Sequence, residues 1–373
     1  MHWIRRSIGS KPASCHEELE NESSIRLLEA GTPTASGQYT KCSYQSCMYC
    51  LLSVALLFFC FVFSWVQYFP RSNHLKIQPP YKAAERFGTD SCDVLFVQTT
   101  DSLHLSPLTS CAIESAARTY KGKRVCLYMK GWDEKLKNTT AVSALDVLKS
   151  LSNVKLLPLN PVLVFRDTPL EEWYQSVNPE QETYWPHVQS DAFRYALLWQ
   201  NGGIYMDTDV ISFKPIPEAN FLGFESTTAI NGAVLGSKDH HPFLDACMKD
   251  FVTNYEGSAW GHQGPLLLTR VLQRLCNFTE WDPDKDLMCT SQKFIIFKSS
   301  RLYPIPYYNW KLFYNTSDNL SIFSDSYATH VWNQMNQWDE NEKRRMKVGD
   351  RSLLENIFKL RCQLTYAELY TWS

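Results

Sequence analysis

"SDAFRYALLWQNGGIYMDTDVISF" runs from Ser190 to Phe213. Its first half, with Val188 and Gln189 before it, spaces apolar residues as an amphipathic helix does and stops at Gly202 and Gly203, in the C-cap position. Its second half reads as a strand carrying Asp207 and Asp209. Residues i and i+2 of a strand share a face, so a strand that continues through Asp209 aims both carboxylates at one point. Two unpaired carboxylates side by side repel, and burying either is costly. A hard divalent cation removes both problems, and Mg²⁺ or Mn²⁺ typically takes one or two carboxylates plus substrate phosphates. The competing reading is a polar strand end whose aspartates cap a turn. On the preceding helix Asp191 and Arg194 are spaced i, i+3, share a face and can reach the same crevice; the competing reading there is a surface ion pair.

Upstream, strand and helix alternate. "CDVLFVQTT" from Cys92 is an apolar strand, "SPLTSCAIESAARTY" from Ser106 a helix with a Ser cap, "KRVCLYMKG" a second strand, "TAVSALDVLKSL" a second helix and "VKLLPLN" a third strand. Such alternation predicts an α/β fold with a largely parallel sheet and crossover helices. In open sheets of this kind ligands bind beyond the carboxyl ends of the strands, and Asp207 and Asp209 lie towards that end.

The chain has 373 residues and a net charge of −2, with 20% charged residues, which suggests no nucleic-acid partner. Aromatic content is 14%, including 12 Trp and 19 Tyr, enough for a large core and also for platforms under sugars. Residues 1–47 are polar and aperiodic and read as a disordered tail. "MYCLLSVALLFFCFVFSWVQYF", Met48 to Phe69, is 22 residues without charge and, as a helix, reaches roughly 33 Å, enough to span a bilayer. It is too far from Met1, and lacks the cleavage site, for a signal peptide. Residues 70–91, with Pro70, Pro79 and Pro80, read as a stem, and 92–373 as the globular domain.

Flanking charge does not favour a cytosolic N-terminus: Arg71, Lys76 and Lys82 trail the span. Other features place the C-terminal part in an oxidising lumen. Four N-x-S/T sequons follow the span, at Asn138, Asn277, Asn315 and Asn319. So do seven cysteines, Cys92, Cys111, Cys126, Cys247, Cys276, Cys289 and Cys362. Cys276 and Cys289 bracket a short polar loop and are the expected bridge; the odd count leaves one thiol free or paired between chains.

"CAIESAAR", "LYMKG", "VFRDTPLEEWY", "SDAFRYALLWQNGGIYMDTD", "NGAVLG", "WGHQGPLLLTRV", "YPIPYYNW" and "ATHVWN", in that order from Cys111 to Asn333, resemble the α1,4-glycosyltransferase family, whose D-x-D motif grips a nucleotide-sugar diphosphate through a metal. The resemblance covers roughly Cys92 to the C-terminus and extends to the tail, anchor and stem; the length of this tail departs from it. It implies a GT-A type fold and retaining transfer, metal dependent, of galactose or N-acetylgalactosamine from a UDP-sugar to the terminal sugar of a glycosphingolipid. It also implies a type II, single-pass Golgi membrane protein, with complexes with other Golgi transferases as a further expectation. Transfer of N-acetylglucosamine to O-glycans is the alternative, and a degenerate Golgi sugar-binding or scaffold protein is a third reading.

Carried over residue by residue, the resemblance makes Asp209 the direct ligand of Mn²⁺ (or Mg²⁺), with Asp207 on metal or ribose and His330 in "THVWN" as third ligand. It puts Asp191 and Arg194 on the UDP-hexose, Trp332 and Asn333 on the pocket wall, and Gln98 near the nucleoside. Asn231, His262, Gln263 and Gly264 shape the donor or acceptor site. The aspartyl-phosphatases also begin from D-x-D after an apolar strand, the first Asp acting as nucleophile. They require Thr or Val two places past the second Asp, where this chain has Ile211, and they carry the motif on the first strand.

Overall fold

The structure is a computed structural model that describes residues 91–133, 143–340 and 343–371. The expected tail, membrane anchor (48–69) and stem, up to residue 90, lie outside these residues, as does the sequon at Asn138. No described helix is long and apolar enough to cross a membrane.

Two βα units and a third strand open the fold: β1 (Val94–Gln98), α1 (Pro107–Thr119), β2 (Val125–Met129), α2 (Ser143–Ser150) and β3 (Val154–Pro158). Ser106 caps α1 through its hydroxyl, which accepts the Thr109 N–H, and Pro107 fills the first helical position, where no donor is needed. Helices α3 (Pro161–Phe165), α4 (Leu170–Ser176) and α5 (Trp185–Asn201) then lead to β4 (Gly203–Met206). Strands β1, β2 and β3 run parallel, and β4 joins β1 on the side away from β2, also parallel. The strand order therefore reverses between β1 and β4, which opens a crevice at their carboxyl ends.

Gly202 and Gly203 make the joint between α5 and β4. Both have positive φ, 67° and 99°, and a Cβ on Gly203 would lie 2.7 Å from the Asp93 carbonyl oxygen.

Beyond β4 come β5 (Val210–Ser212), β6 (Phe221–Phe224), β7 (Ile230–Ser237), α6 (Pro242–Thr253), α7 (Pro265–Cys276), β8 (Leu287–Cys289) and β9 (Phe294–Phe297). The eight-stranded sheet runs β3-β2-β1-β4-β7-β6-β9-β8. Its second half is mixed, β7 being antiparallel to both β4 and β6 while β6 and β9 are parallel. The chain ends with α8 (Ser299–Leu302), β10 (Ala328–His330), α9 (Asn333–Trp338), α10 (Leu353–Arg361) and α11 (Gln363–Thr371). Alternation along β1 shows how the layers assemble. Val94 and Phe96 pack on the side of α1, α2, α10 and α11, whereas Leu95 and Val97 pack on the side of α3 to α7.

Disulfides join Cys92 to Cys126, Cys111 to Cys362 and Cys276 to Cys289; Cys247 is a buried free thiol. Cys276–Cys289 is the bridge expected from the sequence. Cys111–Cys362 ties α1 to the far end of the chain. Beside it the buried Glu114 carboxylate accepts the Leu364 and Thr365 N–H groups at the start of α11, where a helix favours negative charge.

Glu355 in α10 is fully buried and accepts from the Gly349 and Arg351 N–H groups, the Tyr366 hydroxyl and Lys359. Burial opposes its ionisation, but these donors outweigh burial and pull its carboxyl down to about 2. A depressed folded-state value stabilises above the unfolded-state value near 4.5, and that contribution disappears as pH falls through about 2. Thermal melts of Glu355→Gln should therefore show a loss of about 3 kcal/mol at neutral pH and a flatter stability profile than wild type between these two values. Parallel profiles for both proteins would contradict the assignment.

Candidate active site

The site is built where β4 ends. The reading of a strand continuous through Asp209 is corrected by the structure. Strand β4 stops at Met206, Asp207 to Asp209 form a turn, and β5 leaves in a different, two-stranded sheet with β10. The turn is closed by the Val210 N–H donating to the Asp207 carbonyl, and the Asp207 N–H donates to Ala233 of β7. The carboxylates thus converge through a turn rather than through the pleat of one strand, because pairing of β5 with β10 draws the chain out of the main sheet.

Asp207 belongs to a buried ionic group. Arg194 is 5% exposed and donates to Asp191 Oδ1 at 2.7 Å and to Asp207 Oδ1 at 2.9 Å. Its guanidinium sits 4.7 Å from the ring centre of Tyr205. The Tyr205 hydroxyl donates to Asp207 Oδ1 at 2.7 Å and lies 3.0 Å from the Ser190 hydroxyl. Burial pushes the Asp191 carboxyl up to about 6, with Arg194 pulling the other way. Burial disfavours the Arg194 charge, but Asp207 and its neighbours more than offset this and hold the side chain charged. Two glycines make room: a Cβ on Gly264 would lie 2.8 Å from the Asp191 carboxylate, and one on Gly232 would lie 2.8 Å from Arg194.

Asp209 faces the C-terminal segment. Its Oδ1 lies 3.0 Å from His330 Nε2, its Oδ2 accepts the Asn333 N–H at 2.9 Å, and its carbonyl accepts the Val331 N–H. Burial raises the Asp209 carboxyl, but His330 and the Asn333 N–H outweigh it and hold the group below the usual range. Burial lowers the His330 imidazole, but Asp209 outweighs it and the net shift is upward. Trp332 is buried, donates from its indole to Ile305 and lies 4.0 Å ring to ring from His330.

Asp207, Asp209 and His330 each offer one ligand atom, all within 4.8 Å of one another. Two ligands at right angles on an ion with bonds of about 2.1 Å lie about 3.0 Å apart, which is the separation of His330 Nε2 and Asp209 Oδ1. The two carboxylates suit Mg²⁺ or Mn²⁺. The buried His330 Nδ1 has no hydrogen-bond partner. The three side chains fit a divalent cation.

The other predicted residues fall at varying distances from this centre. Gln98 ends β1 at the crevice and donates to Thr100; no bond among the described residues joins it to the acidic turn. Asn231 is buried, donates to Glu225 and accepts the Ala233 N–H, so it braces the strand that holds Asp207. His262 lies 2.7 Å from the Gln263 amide oxygen. Gln263 is buried, its amide taken up by Phe251 and the Glu256 N–H, so it shapes the loop rather than offering a free group. Gly264 is the residue of that trio against Asp191. Asn277, Asn315 and Asn319 are exposed.

Sequence reasoning missed Glu225, Ser190, Tyr205, His187 and Gln334. His187 Nε2 lies 3.0 Å from Gln334 Oε1 and feels the charges of Asp207 and Asp209. Its position one helical turn before Asp191 was the available signal. Glu225 carried none.

A sheet with a switch-point crevice, an acidic turn fit for a cation and a buried arginine beside it defines a site for a phosphorylated ligand at the strand ends. Residues 106–228 match the family model described as glycosyltransferase sugar-binding region containing DXD motif, and residues 236–369 match the alpha 1,4-glycosyltransferase conserved region. Human alpha-1,4-N-acetylglucosaminyltransferase is 37% identical over 85% of this chain and 93% of its own. Human lactosylceramide 4-alpha-galactosyltransferase is 36% identical over 75% of this chain and 78% of its own. Among solved structures, PaToxG glycosyltransferase overlaps 52% of this chain and 72% of its own at 18% identity with a TM-score of 0.39. The chain belongs to the α1,4-glycosyltransferase family.

Arg194 is the only cation bonded to both Asp191 and Asp207 among the described residues. Arg194→Met should lower unfolding stability by about 3–5 kcal/mol, because it leaves buried carboxylates without their partner. Denaturant titration of the purified protein measures this, and a loss below 1 kcal/mol would place the group in solvent-like surroundings.

Proposed function

We propose that this protein is a metal-dependent, retaining α1,4-glycosyltransferase that moves a hexosyl unit from a UDP-sugar to the terminal sugar of a glycosphingolipid. The observation that carries the reading is the convergence of Asp207, Asp209 and His330 beside the buried Arg194. UDP is the leaving group. Asp207, Asp209 and His330 would hold Mn²⁺ or Mg²⁺, which supplies charge stabilisation for the departing diphosphate. Tyr205 and Arg194 fix the Asp207 carboxylate from one side. Asn333 fixes Asp209 through its N–H, so the acidic pair is oriented before substrate arrives. Arg194 adds a permanent positive charge in a dry site, where it acts on phosphate oxygens more strongly than it would in water. The anomeric carbon becomes oxocarbenium-like as the bond breaks, and retention gives an α linkage from an α donor.

Galactose or N-acetylgalactosamine is the proposed sugar, in keeping with the lactosylceramide-acting relatives. A second reading, N-acetylglucosamine transfer, is favoured by the longer match to the N-acetylglucosaminyltransferase. A panel of the three UDP-sugars against lactosylceramide and an O-glycan acceptor separates them by which radiolabelled product forms.

Asp209→Asn should reduce transfer by more than about a hundredfold at limiting Mn²⁺, because it removes one charge and one ligand. Chelation by EDTA should silence the wild type, and re-addition of Mn²⁺ should restore it. Undiminished activity of the variant would exclude the metal role.

The proposed setting is the Golgi lumen, with residues 48–69 as the anchor. The exposure of Asn277, Asn315 and Asn319 and the three disulfides support it. Protein from mammalian cells should gain mobility on treatment with an N-glycosidase; identical migration before and after would argue for a cytosolic domain.

A further inference from the structure

Trp260 and Trp338 are 41% and 42% exposed, and their ring centres lie 4.2 Å apart with the planes 70° to each other. Each stands at the far end of a segment whose near end lies against a site carboxylate. Helix α9 begins at Asn333, on the Asp209 carboxylate, and ends at Trp338. The loop running from Trp260 ends at Gly264, against the Asp191 carboxylate. Trp260 is also ringed by Tyr184, centre to centre 5.2 Å, and His187, 4.7 Å, both near perpendicular. His187 in turn lies within hydrogen-bond distance of Gln334 of α9. Four aromatic rings from three segments therefore form one cluster at the site, and two large indoles remain open to solvent where apolar area is normally covered.

Helix α5 sets the scale. His187, Asp191 and Arg194 are spaced i, i+4, i+7 along it, so the aromatic end stands about 10 Å of helix rise from the guanidinium. The ligand chemistry that suits an exposed, rigid indole is the apolar face of a pyranose ring, with its hydroxyls left to polar neighbours. Trp260 is held in place by its neighbours, so little side-chain freedom is lost on binding.

We propose that Trp260 and Trp338 form a stacking subsite for the acceptor saccharide at the mouth of the site. The assignment of this partner to the acceptor side rests on the transferase reading above. The indoles contact the acceptor sugar and leave the UDP-sugar to the acidic turn and Arg194.

The experiment uses the full-length protein in detergent, with Trp260→Ala, Trp338→Ala and Trp260→Phe. Transfer to lactose and to N-acetyllactosamine is measured at saturating UDP-sugar, together with the KM for donor, the hydrolysis of donor without acceptor, and quenching of indole fluorescence by each saccharide. Both alanine variants should raise the acceptor KM about tenfold or more. Donor KM and acceptor-free hydrolysis should stay within twofold of wild type, and Trp260→Phe should recover most of the loss. An unchanged acceptor KM in both alanine variants overturns the subsite and leaves the transferase reading standing. A donor KM that rises alongside the acceptor KM also overturns it, by moving the indoles to the nucleotide. If wild type neither transfers nor hydrolyses any UDP-hexose, the transferase reading fails. Saccharide quenching that is present in wild type and lost in Trp260→Ala then keeps the sugar-binding surface, and absence of quenching in wild type removes both.

Discussion

The bonds from Arg194 to Asp191 and Asp207 are the constraint on which the site depends. Asp191, Asp207, Asp209 and Glu225 surround Arg194 and His330, so acids outnumber bases in a space where charge is costly. Burial answers part of this by pushing Asp191 and Glu225 towards their neutral forms. The remainder is concentrated on Asp207 and Asp209, beside the imidazole. A pocket of that composition is arranged for cationic charge that the chain does not itself supply, and negative charge on a diphosphate is drawn to the same place once a cation is held there.

The acidic turn is also a mechanical joint. Its first member is fixed by the main sheet, through the Ala233 carbonyl and Tyr205, and its second by the small sheet and α9, through Val331 and Asn333. Moving β10 and α9 against the main sheet would change the distance between Asp209 and Asp207 directly. The Cys111–Cys362 bridge and the Glu114 cap at the start of α11 tie the C-terminal helices to α1 and hold that end of the chain on the first βα unit. Scaffold rigidity here serves the spacing of two carboxylates.

Much of this was legible in the sequence, for identifiable reasons. The apolar runs of β1, β2 and β3 and the capped helix α1 follow from local pattern alone, and Gly202 and Gly203 announce the joint they make. Asp191 and Arg194 declared a shared face by their spacing, and Cys276 and Cys289 were close enough in the chain to suggest a loop closure. The break after Met206 was not legible. "IYMDTDVISF" is locally a good strand, and what ends it is pairing with β10 more than a hundred residues later. The same holds for Cys92–Cys126 and Cys111–Cys362, whose partners are set by the packing of whole layers. Glu225 and Gln334 act through neighbours that only tertiary structure supplies, and a single polar residue in a turn or a short helix carries no periodic signal.

Helix α5 links the two kinds of recognition that glycosyl transfer requires. At its Arg194 end the partners are charged and hydrogen-bonded, which suits a diphosphate but discriminates poorly between sugars that differ in one hydroxyl. At its His187 end the partners are aromatic and come from the loop before α7 and from α9. The strings that carry the family resemblance fall at both ends: "SDAFRYALLWQNGGIYMDTD" and "ATHVWN" hold Arg194 and the acidic turn, and "WGHQGPLLLTRV" begins with Trp260. On the transferase reading proposed above, discrimination between acceptors falls to the aromatic end.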